Sequence, residues 1–205
     1  MEASAHWDGV YTVKLPEQVS WYQPHLTQSL QLIEQAGVGP DGYVIDVGCG
    51  VSTLLGDLLE RGFRHVTALD VSAEALRLEQ ERLGERAGSV EWLQGDVTQV
   101  ALPVQRYDLW HDRATFHFLT EAADRQRYVE TARRAVKVGG HVIIATFDAD
   151  GPTRCSGLPT MRYGSDAAQD TFGDGFRLID SVQEAHRTPT GAEQLFRYFH
   201  LQRSV

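Results

Sequence analysis

The stretch Val44-Ile45-Asp46-Val47-Gly48-Cys49-Gly50-Val51-Ser52-Thr53, followed by Val66-Thr67-Ala68-Leu69-Asp70, decides how this chain folds. An apolar, β-branched run ends in an acid and two closely spaced glycines. A second apolar run ends in another acid, twenty residues beyond Gly50. Runs of this kind read as buried parallel strands, and an open α/β sheet binds ligands in the crevice outside their carboxyl ends. The glycines permit a tight turn and close backbone approach. The second carboxylate suits ribose hydroxyls, because an ionised carboxyl group only accepts hydrogen bonds. A dinucleotide fingerprint would place a glycine three residues beyond Gly50, where this chain has Thr53. Asp46 would repel a pyrophosphate and suit a cationic ligand. The plainer reading is a tight turn whose acid caps the next helix.

Working outward, strand-like and helical runs alternate. Pro24 can open a helix to about Gly37, with Leu26, Leu30 and Ile33 at helical spacing. Tyr43–Val47 reads as a strand, Ser52–Arg61 as a helix and His65–Leu69 as a strand. Ser72 caps a helix reaching about Leu83. Val90–Leu93 and Tyr107–Trp110 are short strands. Glu121–Lys137 is a long helix closed by Gly139-Gly140, and His141–Phe147 is a buried strand. A long loop, Asp148–Thr160, leads to a short helix. Arg177–Ala185 and Gln194–Leu201 then form adjacent strands joined around Pro189 and Gly191. Strands separated by helices imply parallel βαβ units, hence an α/β fold.

With 205 residues, 42% hydrophobic and 23% charged, the chain is expected to form one soluble domain. Nineteen basic against twenty-eight acidic residues leave a net charge of −9, and no basic run appears, so nucleic acid is not an expected partner. Two cysteines, Cys49 and Cys155, fit a reducing cytoplasm. The opening residues Met1–Asp8 lack the basic and apolar regions of a secretory leader, and no apolar run approaches the roughly 20 residues of a membrane span. The expected location is cytoplasmic.

The run Asp46-Val47-Gly48-Cys49-Gly50 resembles the first motif of class I S-adenosylmethionine-dependent methyltransferases, acidic-x-Gly-x-Gly. The third glycine of the fullest form is Ser52 here. The resemblance implies a single three-layer, Rossmann-like domain with a seven-stranded sheet of order 3-2-1-4-5-7-6, the last strand antiparallel. Residues 1–38 would be an aromatic lid and helix, 39–147 the cofactor-binding core, and 148–205 a substrate loop and terminal strand pair. It implies S-adenosylmethionine as cofactor, S-adenosylhomocysteine as product, and no metal. Asp46 would compensate the sulfonium and amino charges, with Gly48 and Gly50 admitting the methionine part. Asp70, with Val71 beside it, would hold the ribose hydroxyls. Asp96 would meet the adenine amino group, and Val97 would pack near the ring; the plainer reading of Gly95-Asp96 is a turn. His111 and Trp21 complete the expected cofactor set.

The polar segment Tyr107–Leu119 closes the fourth strand, which in such enzymes delivers its last residues beside the transferable methyl. His111, Asp112, Arg113 and His117 are therefore substrate-side candidates, with Asp112, Arg113 and His117 the expected catalytic residues. Their plainer roles are mutual orientation of Asp112 and Arg113 and a half-buried histidine. His111 and His117 lie six residues apart without a completing Cys or Glu, so no metal site is expected. Trp7-Asp8-Gly9-Val10-Tyr11 with Ser20-Trp21-Tyr22, Tyr107-Asp108-Leu109…Asp112-Arg113-Ala114, and Ile144-Ala145-Thr146-Phe147…Asp150-Gly151-Pro152 are similar to the thiol and thiopurine S-methyltransferase branch. Phe116-His117-Phe118 and Cys155-Ser156-Gly157-Leu158-Pro159 depart from its pattern. Small protein lysine methyltransferases share the Trp-Asp…Tyr entrance. The expectation is methyl transfer to a small-molecule nucleophile, a thiol foremost. The alternatives are lysine methylation of a basic protein partner and a non-catalytic S-adenosylmethionine-binding protein. Trp7, Tyr11, Trp21 and Tyr22 form either a lid over the cofactor or a flap sealing the core.

Overall fold

The computed structural model describes residues 3–204; Met1 and Glu2, which head the stretch read for a leader, and Val205 lie outside the described residues. In chain order the elements are α1 (Ala3–Val13), α2 (Thr27–Gln35), β1 (Tyr43–Val47), α3 (Leu54–Glu60), β2 (His65–Asp70), α4 (Ala73–Leu83), β3 (Val90–Gln94) and β4 (Tyr107–Arg113). There follow α5 (Ala122–Ala135), β5 (Val136–Phe147), a two-residue hairpin of β6 (Arg154–Cys155) and β7 (Leu158–Pro159), α6 (Ala167–Phe172), β8 (Phe176–Arg187) and β9 (Glu193–Arg203). Seven strands form one sheet in the order β3-β2-β1-β4-β5-β9-β8. With the small hairpin set aside, this is the expected 3-2-1-4-5-7-6. β3 to β5 pair in parallel, and β9 runs antiparallel to both β5 and β8.

The central strands are apolar on both faces because helices cover both. Val44, Ile45 and Val47 of β1 are fully buried. Val44 packs with Leu30 and Ile33 of α2 and Leu54, Leu55 and Leu58 of α3. Ile45 and Val47 pack on the opposite layer with Trp110, Tyr128 and Ala132. Ser72 caps α4 as its sequence suggests, its hydroxyl accepting the Ala75 N–H at 3.0 Å.

Several boundaries differ from expectation. The aromatic N-terminal segment contains a helix, α1. α2 begins at Thr27 and not at Pro24, and α3 is shorter at both ends than Ser52–Arg61. β4 continues through Arg113, because Val47 pairs with Asp112 on one side and Ala145 with Arg113 on the other. Gly139-Gly140 does not close α5. The helix ends at Ala135, and β-branched Val136 enters β5 opposite Tyr107, while Lys137 Nζ bonds Asp108 Oδ2 at 2.8 Å. The register slips between Tyr107 and Leu109, and a Cβ on Gly140 would lie 3.0 Å from the Lys137 carbonyl oxygen, so the glycines serve this irregular strand entry.

The turn after β1 has a geometry that only glycine adopts without strain. Gly48 and Gly50 have φ of +64° and +52°. A Cβ on Gly48 would stand 1.7 Å from Thr115 Oγ1. Gly48→Ala should therefore destabilise the protein by about 1–3 kcal/mol in urea titration. Gly39→Ala, whose Cβ meets nothing within 4 Å, should leave the midpoint unchanged.

Candidate active site

A cavity of about 410 Å³ opens at the carboxyl ends of the parallel strands. Gly48, Asp70, Val71, Gly95, Asp96 and Val97 line its floor and one wall, and Arg113, Ala114 and Thr115 line another. Trp7, Tyr11, Trp21, Phe118 and Leu158 border the rest. A smaller crevice of about 30 Å³ shares Trp21, Gly48 and Arg113 with it and adds Asp46, Cys49 and His111.

Asp70 ends β2 with its carboxylate already oriented. Oδ2 accepts the Gly50 N–H and Oδ1 the Ser72 N–H, both at 2.8 Å. Each oxygen keeps acceptor capacity, which suits the two hydroxyls of a ribose. Burial pushes this carboxyl up to about 6, against the pull of the two backbone donors. Asp96, half-buried, turns back on its own loop. Its Oδ1 accepts the Thr98 N–H and hydroxyl at 2.8 and 2.7 Å, and Val97 is buried beside it. This is the plainer turn role, and it leaves the side chain on the cavity wall.

Asp46 and Arg113 line the smaller crevice; Asp46 Oδ2 is buried without a hydrogen-bond partner, and Arg113 Nη2 makes no hydrogen bond but lies 3.7 Å from Glu184 Oε2. Asp46 Oδ1 faces His111 Nδ1 at 2.7 Å, and His111 Nε2 faces the Ser29 hydroxyl of α2 at 2.9 Å. The carboxylate can only accept, so His111 donates to it from Nδ1. Arg113 Nε donates to Tyr198 Oη at 3.0 Å and Nη1 to the Trp21 carbonyl at 2.8 Å, while its guanidinium lies 4.6 Å from the Phe196 ring. A carboxylate oxygen without a hydrogen-bond partner and a guanidinium lining one crevice complement the ammonium and carboxylate of an amino acid. Gly48 borders both the crevice and the larger cavity.

Two of the expected catalytic residues sit elsewhere. Successive strand residues point to opposite faces, so Asp112 faces away from His111 and Arg113, into the layer of α5. It is fully buried, lines neither cavity, and accepts the Thr115 N–H at 3.0 Å, the Phe116 N–H at 3.1 Å and the Tyr128 hydroxyl at 2.7 Å. Burial raises it to about 6. It orients the turn after β4. His117 is also fully buried, stacked on Phe147 at 4.4 Å, with Nδ1 accepting the Phe147 N–H at 3.2 Å. Burial, and then the Arg113 charge, depress it to about 3, so it stays neutral and a rate step near 6.5 is not its signature. Tyr198 and Glu184, which brace Arg113, had no local signal in sequence. They reach it only because β9 and β8 fold back beside β5.

The aromatic border is a packed set. Trp7 meets Phe118 edge-on at 4.9 Å and Trp21 at 5.9 Å, and Tyr11 meets Trp21 at 6.4 Å. Tyr22 borders the smaller crevice. Cys49 and Cys155 are both buried free thiols. Among the described residues, no group of three or more His, Cys, Asp or Glu side chains is placed to hold a metal ion, and no helix is long and apolar enough to cross a membrane.

Residues 44–140, just under half of the chain, match the family described as methyltransferase domain. The chain is 23% identical over 195 residues to EEF1A lysine methyltransferase 2 of Homo sapiens, covering 86% of this chain and 75% of that protein. A structure solved for the conversion of a disulfide bond into a thioacetal group during echinomycin biosynthesis superposes with a TM-score of 0.78 at 19% identity, covering 99% of this chain and 92% of the other. The Burkholderia thailandensis 1,6-didemethyltoxoflavin-N1-methyltransferase, solved with its substrate and S-adenosylhomocysteine, gives 0.71 at 21% identity, covering 98% and 85%. The fold is thus the Rossmann-like methyltransferase fold.

Two outcomes separate the acids of this region. Hydrogen bonds donated by a bound ribose would favour the charged form of Asp70. Affinity for S-adenosylhomocysteine should therefore be full above about 6 and fall as the pH drops through that value, a dependence that Asp70→Asn should flatten in calorimetric titration. Asp112→Ala should instead cost about 3 kcal/mol in chemical denaturation, because it strands buried donors, and should leave the affinity of the folded fraction unchanged.

Proposed function

We propose that this chain transfers the methyl group of S-adenosylmethionine to a small-molecule nucleophile, and that a thiol is the preferred class. Asp70 would hold the ribose hydroxyls, and Asp96 and Val97 would border the adenine. Asp46 Oδ2 would take the α-ammonium group and the Arg113 guanidinium the α-carboxylate. This moves Arg113 from the acceptor side to the cofactor side. When bound, the cofactor supplies a methyl carbon already activated by its sulfonium, so the protein's task is positioning and exclusion of water.

The observation that carries the thiol reading is the side chains bordering the cavity beyond Gly48 and Arg113. They are Trp7, Trp21, Phe118 and Leu158, while His117 and Asp112 are turned into packed layers. A nucleophile bound there meets aromatic surface and must arrive deprotonated. A thiol near ~8.5 does so in part at neutral pH, whereas a lysine near ~10.4 needs a base or strong desolvation. The aromatic N-terminal segment then acts as a lid. Lysine methylation is the second reading. It draws on the net charge of −9 and on Asp124 at the cavity border, which would attract a basic protein.

Transfer of labelled methyl from S-adenosylmethionine to a panel of small thiols, small amines and a protein lysate tests the choice. Label is expected in thiols, with a rate that climbs with the fraction of thiolate as pH rises. Label confined to lysate protein would replace this reading with the second.

A further inference from the structure

α1 has eleven residues and buries one side chain, Tyr11. Isolated helices shorter than roughly 12–15 residues are marginal in water, so its docking contacts decide where it lies. Asp8, next to Trp7 of the cavity border, makes polar contacts with the body of the protein. Asp8 Oδ1 accepts the Ser72 hydroxyl at 2.6 Å and the Glu74 N–H at 3.2 Å, while Oδ2 accepts the Ser4 hydroxyl at 3.3 Å.

Ser72 is the joint. Its N–H donates to Asp70 Oδ1 at 2.8 Å, its hydroxyl proton goes to Asp8, and its hydroxyl oxygen accepts the Ala75 N–H at 3.0 Å. One residue therefore connects the carboxylate that faces the ribose position with the carboxylate that holds the aromatic helix. We infer that Asp8 is a positioning residue that closes α1 over the cavity in response to the ribose hydroxyls, with Ser72 transmitting between Asp70 and Asp8. The inference rests on the proposed cofactor site and is independent of the acceptor.

The physical basis is the order of the contacts. Before ligand binding Asp70 is held by two backbone donors, the Gly50 and Ser72 N–H groups. Two ribose hydroxyls on its remaining lone pairs would hold it more tightly, and through the Ser72 N–H the first turn of α4. That turn presents the Ser72 hydroxyl and the Glu74 N–H to Asp8. By linkage, a docked Asp8 must tighten the ribose contact by the same factor. Tyr11 adds a second contact at the same place, since a Cβ on Gly50 would stand 2.3 Å from its hydroxyl oxygen, and Gly50 is the other donor to Asp70.

The test is a double-mutant cycle read by S-adenosylhomocysteine affinity. Asp8→Ala should weaken binding roughly tenfold in the wild-type background and less than twofold beside Asp70→Ala. Asp8→Asn keeps Oδ1 as an acceptor and should recover most of the loss. An equal factor in both backgrounds would reduce Asp8 to a helix cap and overturn the inference. Wild-type protein carries a second arm, free of any folding defect. Hydrogen exchange of the amides of residues 3–13 should slow with saturating adenosine and not with 2′,3′-dideoxyadenosine, which lacks the hydroxyls. Equal slowing by both, or by neither, would also overturn it. Absence of S-adenosylhomocysteine binding to wild type would remove the cofactor site itself, a result distinct from binding that leaves α1 unchanged.

Discussion

The structure depends on the contact between the glycine turn after β1 and the acid that ends β2. Gly48 and Cys49 donate to the Leu69 carbonyl at 2.7 and 3.1 Å, and Gly50 donates to Asp70 at 2.8 Å. Three consecutive backbone donors are thereby satisfied by the neighbouring strand end, so the turn needs no water there and can stand open to a ligand. The same contact holds a buried carboxylate at a defined angle. Everything around the cavity is referred to this turn: Thr115 packs against Gly48, Tyr11 against Gly50, and Ser72 follows Asp70 into α4.

β4 shows how a strand distributes polar residues. Trp110 and Asp112 belong to the α5 layer, where Tyr128 bonds both, its oxygen 2.8 Å from Trp110 Nε1 and 2.7 Å from Asp112 Oδ2. His111 and Arg113 belong to the other layer and border the smaller crevice. Four polar residues close in sequence, His111, Asp112, Arg113 and His117, thus split into a crevice pair and two buried structural groups. The alternation of side chains along a strand predicts the first division. It holds only once β4 is known to continue to Arg113, three residues past the end its apolar content suggests.

Arg113 also binds the chain's two ends together. Its guanidinium bonds the carbonyl of Trp21, from the N-terminal segment, and the hydroxyl of Tyr198, from β9. Nearby, His186 of β8 faces the Ser20 carbonyl at 2.7 Å and Gln23 at 3.0 Å, so the loop carrying Trp21 is strapped to the terminal strand pair. A buried guanidinium is costly unless its charge is met, and here Nε and Nη1 hold the scaffold while Nη2 lies 3.7 Å from the Glu184 carboxylate.

The sheet order was implied by the family resemblance of the glycine motif, whereas local sequence pattern alone accounts for the alternating strands and helices, the glycine turn, the acid at the end of β2 and the helix cap at Ser72. Each of the latter is a local pattern: β-branched runs, glycines at positive φ, a serine two residues after an acid. Local pattern could not decide which polar side chains meet. Asp46, His111 and Ser29 come from β1, β4 and α2, and Asp8 finds Ser72 across sixty-four residues. α1 itself was hidden because its aromatic residues signal burial without saying against what. The helix Glu121–Lys137 ran too far for the opposite reason, since its last residues satisfy helical spacing until the neighbouring strand captures Val136. Pairing and layer assignment belong to the assembled sheet, where hydrogen-bond partners and burial are supplied by segments distant in the chain.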